Sequence, residues 1–379
     1  EETILSLANY VDGKVNLSDI PNIIYKKNGS IEISELKRIG NLNMLPDPVY
    51  DSKIYPAMSG DEKVKFIMID ESRGCPNNCY FCIHPRKSGT KWRKRDPIRV
   101  VDLMEKLKND LNICVFRLSG SNTPAGLKRE IASEIIKRQL NISYSAFGHA
   151  RESKKEDYYL LKRSGCISLA FGVESGSQKI LDQDINKKVK VEQIISALTE
   201  CKNAGIFTVA SIIVPNPHDT PETLKETLDL LIKTKPDSVT LQLPGLIPNT
   251  YWYENRERFG FELEDDYMLK TMVYKIKLLL PPILWEPLPY KINSRTKDEP
   301  VMLAQKFSLE LEKNGILTGI GDFLLSIGRY LKIPIRELRD KNRKIFFTGD
   351  YWEIQNMARL FNQEVENMAV KKGVAGGVI

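Results

Sequence analysis

Val64-Lys65-Phe66-Ile67-Met68-Ile69-Asp70-Glu71-Ser72-Arg73-Gly74-Cys75-Pro76-Asn77-Asn78-Cys79-Tyr80-Phe81-Cys82 joins a compact β-rich run to three cysteines within eight residues. Residues 64–70 have the length and the branched and aromatic content of a buried strand, and Gly74 ends the run. Five further β-like runs follow at 114–118, 142–147, 167–173, 207–214 and 238–243. Helical patterns lie between them at 99–109, 127–139, 154–164, 191–204 and 221–234. The last of these starts with Thr220 as N-cap, Pro221 at the first helical position, and Glu222 and Glu226 in the opening turns. Alternating strands and helices predict a parallel sheet with helices on its faces.

The cysteines carry the chemistry. Three thiols this close, in a chain without secretory marks, point to metal rather than to a disulfide framework. Zinc would want a fourth ligand, and His84 stands two residues past Cys82. An iron–sulfur cubane takes one thiolate per iron, so three thiolates leave one iron open. Spacing alone does not choose between the two. Cys114, Cys166 and Cys201 each stand among apolar neighbours and read as small buried hydrophobes.

Cys75-x3-Cys79-x2-Cys82, with Phe81 just before the last cysteine, resembles the cluster-binding loop of radical S-adenosylmethionine (SAM) enzymes. The resemblance implies a four-iron four-sulfur cluster whose open iron chelates SAM, with reductive cleavage to a 5'-deoxyadenosyl radical. It also implies an α/β fold, a partial (β/α)6 TIM-type barrel with its chemistry at the C-terminal ends of the strands. Phe81 is then expected beside the adenine. Within Ser119-Gly120-Ser121-Asn122-Thr123-Pro124, Gly120 and Ser121 are expected to meet the SAM amino group. Arg151, after the third strand, is placed to pair with the SAM carboxylate through a bidentate contact. Phe171-Gly172-Val173-Glu174-Ser175-Gly176-Ser177 is a second match, in which Glu174 bonds the ribose hydroxyls or the SAM amino group. One departure stands in the fifth strand, where Val214 replaces the glycine usual next to adenine.

Around the core, at residues 59–250, the chain reads as two appendages. Residues 1–58 contain Asn28-Gly29 between alternating runs, a two-residue hairpin signal. With Leu45-Pro46-Asp47-Pro48 behind it, this segment resembles the connector that follows a cobalamin-binding domain in cobalamin-dependent radical SAM enzymes. That resemblance implies such a domain upstream of Glu1. Residues 251–379 read as mainly helical, and Trp252, Tyr253, Trp285 and Tyr290 either wall a substrate cleft or pack helices onto the barrel.

Composition bounds the rest. The 379 residues are 42% apolar, 28% charged and 8% aromatic, an ordinary globular balance. The longest apolar stretch, 278–285, holds two prolines and is far short of a bilayer span. No signal peptide pattern opens the chain, so a cytoplasmic location is expected. The net charge of +7 does not announce nucleic acid. Six basic residues and no acidic one lie between Arg86 and Arg95, which reads as a solvated loop or as a patch for an anionic substrate, RNA or an acidic electron donor. The expected partners are a small-molecule or peptide substrate and a reducing electron donor such as flavodoxin or ferredoxin. Methyl transfer to an unactivated carbon is the reaction implied by the cobalamin-dependent group. Two alternatives stand beside it: a methylthiotransferase acting on transfer RNA, and a zinc-stabilised binding protein without catalysis.

Overall fold

The computed structural model describes residues 1–50, 64–151, 154–277 and 288–370. The expected boundary at residue 58, the apolar stretch at 278–285 with Trp285, and the glycine-rich tail lie outside the described residues. The chain divides into two compact units, Glu1–Pro46 and Asp47–Ile379.

The first unit opens with the helix Glu2–Val11 and continues into a hairpin of β1 (Ile24–Lys27) and β2 (Ser30–Ile33). Lys27 pairs with Ser30 across the turn. Asn28 and Gly29 both have positive φ, 50° and 82°, as a type I′ turn requires.

The second unit holds β3 (Ile67–Ile69), β4 (Ser72–Arg73), β5 (Arg93–Lys94), β6 (Val115–Leu118), β7 (Ser143–Gly148), β8 (Cys166–Glu174), β9 (Phe207–Ile213), β10 (Ser238–Gln242), β11 (Phe261–Leu263), β12 (Tyr290–Ile292) and β13 (Leu317–Thr318). Seven of them form one sheet in the order β13-β10-β9-β8-β7-β6-β3. Every neighbouring pair in it is parallel. The helices Ala125–Lys137, Lys155–Arg163, Val191–Asn203 and Pro221–Thr234 connect successive strands. Each βα unit therefore advances the sheet by one strand, which is the rule of a TIM-type barrel. Among the described residues β3 and β13 do not pair with each other, so the barrel is partial.

The expected strands fall within a few residues of the observed ones because parallel strands covered on both faces are near-continuous apolar runs. Helix Pro97–Leu111 buries Val100, Val101, Leu103, Met104 and Leu107 against the sheet, the stripe a 3.6-residue period demands. Each such side chain contributes about 2 kcal/mol by leaving water. Cys114, Cys166 and Cys201 lie in this core, at most 1% exposed.

One expectation changes. Six strands were legible, but the sheet gains a seventh, β13, from the region read as helical. Two residues are too few to show any periodicity, so pairing with β10 alone makes them a strand. That region also holds the strands β11 and β12, and the expectation of a mainly helical C-terminal region is met after them, by Glu299–Lys313, Asp322–Leu331, Ile335–Thr348 and Tyr351–Val370. Before these, β11 and β12 pair antiparallel and carry a second core of Trp252, Phe259, Phe261, Tyr267 and Tyr290. Trp252 is fully buried and Tyr290 is 4% exposed, so both pack the core rather than wall a cleft.

A polar joint ties the C-terminal helices to the barrel. Asp322, buried at the start of its helix, accepts a hydrogen bond from Ser168 of β8 at 3.0 Å. Its other oxygen faces Arg117 of β6 at 3.1 Å, and that guanidinium also lies 4.7 Å over the Phe147 ring. Burial raises the Asp322 pKa, and Arg117 opposes the rise. Asp322→Ala is expected to cost about 3 kcal/mol in a urea titration, because it strands a largely buried guanidinium. A loss below about 1 kcal/mol would show that the joint contributes little.

Candidate active site

The cysteine loop sits at the C-terminal end of β3 and is held from several directions. Cys75 N–H donates to the Gly89 carbonyl at 3.0 Å, and Cys82 N–H to that of Cys79 at 3.0 Å. Tyr80 N–H donates to the Ile185 carbonyl at 2.9 Å, while its own carbonyl accepts from Trp252 N–H at 3.0 Å. The Tyr80 ring stacks on Tyr251 with centroids 4.1 Å apart. Asn186 Nδ2 donates to the Asn78 carbonyl at 2.8 Å. A loop without regular structure thus has its backbone groups satisfied by three neighbouring segments.

The three thiols feel one another and a buried cation. Burial pushes the Cys79 thiol up, against the pull of Lys187. Burial likewise pushes Cys82 up to about 11, with Cys79, Cys75 and Lys187 within electrostatic reach. None of the six cysteines forms a disulfide. Lys187 Nζ donates to Glu174 Oε1 at 2.9 Å, and the two side chains are only 10% and 8% exposed. Burial alone would lower the Lys187 pKa, but Glu174, Cys79 and Cys82 together outweigh it and the net shift is upward.

The end of β8 is shaped for this pair. Its register with β9 shifts between Gly172 and Glu174. Glu174 adopts φ +64°, a left-handed conformation costing about 1 kcal/mol for a residue with a Cβ. A Cβ on Gly172 would stand 2.4 Å from Glu174 Oε1 and 2.8 Å from Lys187 Nζ. Only glycine there leaves room for the ion pair.

The turn after β6 is organised by Glu71, which follows β3 by two residues and is fully buried. Both of its carboxylate oxygens accept from Gly120 N–H at 3.1 Å, and Oε1 also accepts from Thr123 at 2.6 Å and Ser72 at 3.0 Å. A Cβ on Gly120 would meet Glu71 Oε1 and Ser72 Oγ at 2.2 Å. Burial raises the Glu71 pKa, and these bonds offset part of the rise. Beside it, Ser121 Oγ and His84 Nδ1 are 2.8 Å apart.

The remaining candidates line the same end of the sheet. Arg151 donates to Asn77 Oδ1 and to the Lys188 carbonyl, each at 3.2 Å, and so ties the cysteine loop to the segment that carries Lys187. Burial and the cations Lys187, Arg151 and Lys128 hold the His149 pKa down at about 3, so this imidazole is neutral at physiological pH. The Phe81 ring lies 5.7 Å from Trp252, packed on the second core. After β9, Val214 is buried and Asn216 donates through Nδ2 to the Ile213 carbonyl at 2.9 Å. Asn216 Oδ1 is buried without a partner among the described residues. Asp219 accepts from Asn216 N–H at 2.6 Å and from Thr223 at 2.8 Å.

Sequence reasoning named Phe81, Gly120, Ser121, Arg151 and Glu174 but missed Glu71 and Lys187. Glu71 reads as the polar end of a strand, and Asn186-Lys187-Lys188 as a solvated basic turn. Neither has a local signal.

The donor set fits a cubane. It offers three thiols within electrostatic reach of one another and a buried counter-charge. Among the described residues no three His, Cys, Asp or Glu converge tightly enough to hold a single metal ion. An unpartnered oxygen such as Asn216 Oδ1 at the strand ends suits a polar cofactor.

Comparison with known proteins agrees. Residues 71–231 match the family model of the Radical SAM superfamily. An uncharacterized methyltransferase of Pyrococcus horikoshii is 28% identical over 258 residues, covering 67% of this chain and 56% of that protein. The anaerobic magnesium-protoporphyrin IX monomethyl ester cyclase of Rubrivivax gelatinosus is 32% identical over 170 residues, covering 44% of this chain and 30% of that one. The chain thus spans about half or less of these curated relatives. The structure of the radical SAM methyltransferase TsrM from Kitasatospora setae, with cobalamin and a [4Fe-4S] cluster bound, shares the fold at a TM-score of 0.65. It is 15% identical, and the match covers 95% of this chain and 76% of that one.

Two outcomes follow from the geometry. Lys187→Met and Glu174→Gln should each cost about 3 kcal/mol, and the double variant less than their sum, a coupling readable by urea denaturation in a double-mutant cycle. Additivity would show that the pair is not coupled. Burial pushes Asp219 up to about 6. Its protonation therefore favours the folded state: the stabilisation is complete below the unfolded pKa near 4 and lost as pH rises through 6, about 3 kcal/mol in all. Asp219→Asn should flatten the fall in Tm between pH 5 and 7.5, and an unchanged slope would assign that fall to other groups.

Proposed function

We propose that this chain, whose residues 71–231 match the Radical SAM superfamily model, is a radical SAM enzyme and a cobalamin-dependent methyltransferase acting on an unactivated carbon of a small molecule or peptide. When bound, the cluster and SAM supply a 5'-deoxyadenosyl radical. The chain's own residues hold, orient and shield.

Cys75, Cys79 and Cys82 would hold the cluster through their sulfurs, and Lys187 would balance the negative charge gathered at the strand ends. Glu174, held by Lys187 and aimed by the bulge of β8, is the candidate for the ribose hydroxyls or the SAM amino group. Gly120 N–H is already taken by Glu71, so its carbonyl remains for the SAM amino group, with Ser121 next to it. Arg151 stands for the SAM carboxylate and Phe81 for the adenine edge. Neutral His149 adds no charge to the site.

The observation that carries this reading is the three-thiol loop set over a buried lysine–glutamate pair. The methyltransferase name of the Pyrococcus horikoshii relative and the fold shared with TsrM support methyl transfer. Cobalamin rests on that fold likeness and on the connector-like residues 1–58.

Anaerobic reconstitution tests the proposal. The wild type should bind about four irons with sulfide and release 5'-deoxyadenosine from SAM under reduction. Alanine at Cys75, Cys79 or Cys82 should abolish both while the fold persists by circular dichroism, whereas alanine at Cys114, Cys166 or Cys201 should spare the cluster and lower Tm. In full turnover two SAM are expected per methylated product, one yielding S-adenosylhomocysteine and one 5'-deoxyadenosine. Iron retained after Cys79→Ala would mean the ligands are misassigned, and turnover without 5'-deoxyadenosine would remove radical abstraction.

A further inference from the structure

The run of six cations between Arg86 and Arg95 has no role in the site described so far, yet it is built onto the cysteine loop. It begins two residues past Cys82 with helix His84–Ser88 and returns through β5, which pairs antiparallel with β4 immediately before Gly74. Cys75 N–H bonds Gly89, and a Cβ on Gly74 would stand 2.2 Å from the Lys91 carbonyl, so the two backbones touch. Trp92 Nε1 donates to the Asn122 carbonyl at 3.0 Å and pins the segment to the turn after β6.

Two of the six cations serve the interior. Arg95 is buried and donates to the Asp70 carbonyl at 3.0 Å, and half-buried Arg93 donates to the Ser88 carbonyl at 2.6 Å. Arg86, Lys87, Lys91 and Lys94 are exposed. The acids nearby are engaged: Glu254 approaches Arg86 at 3.8 Å, Asp70 is held by Arg73 at 2.6 Å, Asp47 lies 3.8 Å from Arg95 and 3.7 Å from Arg99, and Asp96 accepts from Ile98 N–H at 2.8 Å. Four exposed cations thus form the solvent-facing surface of a segment bonded to the cysteine loop at Cys75 and packed on it at Gly74.

We propose that this surface is the docking site for an acidic one-electron carrier protein of the flavodoxin or ferredoxin class, a proposal that rests on the radical SAM reading. One electron leaves the reduced carrier, which is oxidised by one electron, and enters the cluster behind the loop; no atom is transferred. Opposite charge selects the partner and raises its encounter rate. The position of the patch brings the carrier against the loop that holds the electron acceptor. RNA is the competing anionic partner, but the described part of the patch presents only Trp92 as an aromatic, and its indole is turned inward to Asn122.

The experiment mixes reconstituted protein with reduced flavodoxin in a stopped-flow instrument at low ionic strength and follows bleaching of the cluster absorbance. The triple variant Lys87→Glu, Lys91→Glu, Lys94→Glu should be reduced about tenfold or more slowly, with a weaker salt dependence. The triple glutamine variant should move the same way by less. Photoreduction with the small reductant 5-deazariboflavin should proceed as in the wild type, which also certifies that the variant is folded and loaded. An unchanged flavodoxin rate overturns the proposal. So does salt-sensitive binding of an oligoribonucleotide that the glutamate variant loses while its flavodoxin rate stays normal. Bleaching reads docking and 5'-deoxyadenosine reads the reaction, so loss of the second with the first intact defeats the functional reading while still supporting the docking site.

Discussion

A lysine ammonium taken out of water costs several kcal/mol unless opposite charge meets it, and in this chain Lys187 is met by Glu174 at 2.9 Å and by the thiols of the cysteine loop. The dependence runs both ways. Burial and mutual proximity disfavour ionisation of the thiols gathered in this loop, and a fixed cation behind them opposes that without recruiting solvent. Glycine at position 172, the left-handed backbone at Glu174 and the shifted register of β8 all serve to seat this pair. A strained residue is tolerated where its surroundings over-determine it, and here the strain lies at the strand end that faces the chemistry.

The same logic extends outward from the pair. Arg151 joins the cysteine loop to the Lys187 segment, Tyr80 and Trp252 join it to the second core, and Glu71 draws the turn after β6 onto the end of β3. Each contact alone contributes on the order of 1 kcal/mol. Together they hold an irregular loop in one conformation, which matters because a site that depends on position loses rate when its groups are loosely held. The opposite side of the barrel is secured separately by Asp322, Arg117 and Ser168.

Charge is distributed with the same economy. Lys187 inside the site is buried and paired, whereas Arg86, Lys87, Lys91 and Lys94 on the adjoining segment are displayed to solvent. Nearly the whole excess of +7 would be accounted for by the six cations of this one segment, so the modest net charge conceals a local field beside the thiols.

What the sequence determined by itself was local in origin. Parallel strands buried on both faces announce themselves as apolar runs, helices by their 3.6-residue stripe, the hairpin by Asn28-Gly29, and the metal chemistry by three cysteines close along the chain. Glu174 was legible because a carboxylate at the end of a buried strand is costly without a purpose. Lys187 and Glu71 were not, because nothing in the surrounding residues marks a lysine or a glutamate as buried; partners 13 and 49 positions away decide it. Strand β13 escaped for a like reason, two residues having no period, and the fate of Trp252 and Tyr290 depended on which core closed over them. Tertiary structure alone decides such matters, since burial of a polar group is set by what the rest of the chain brings to it.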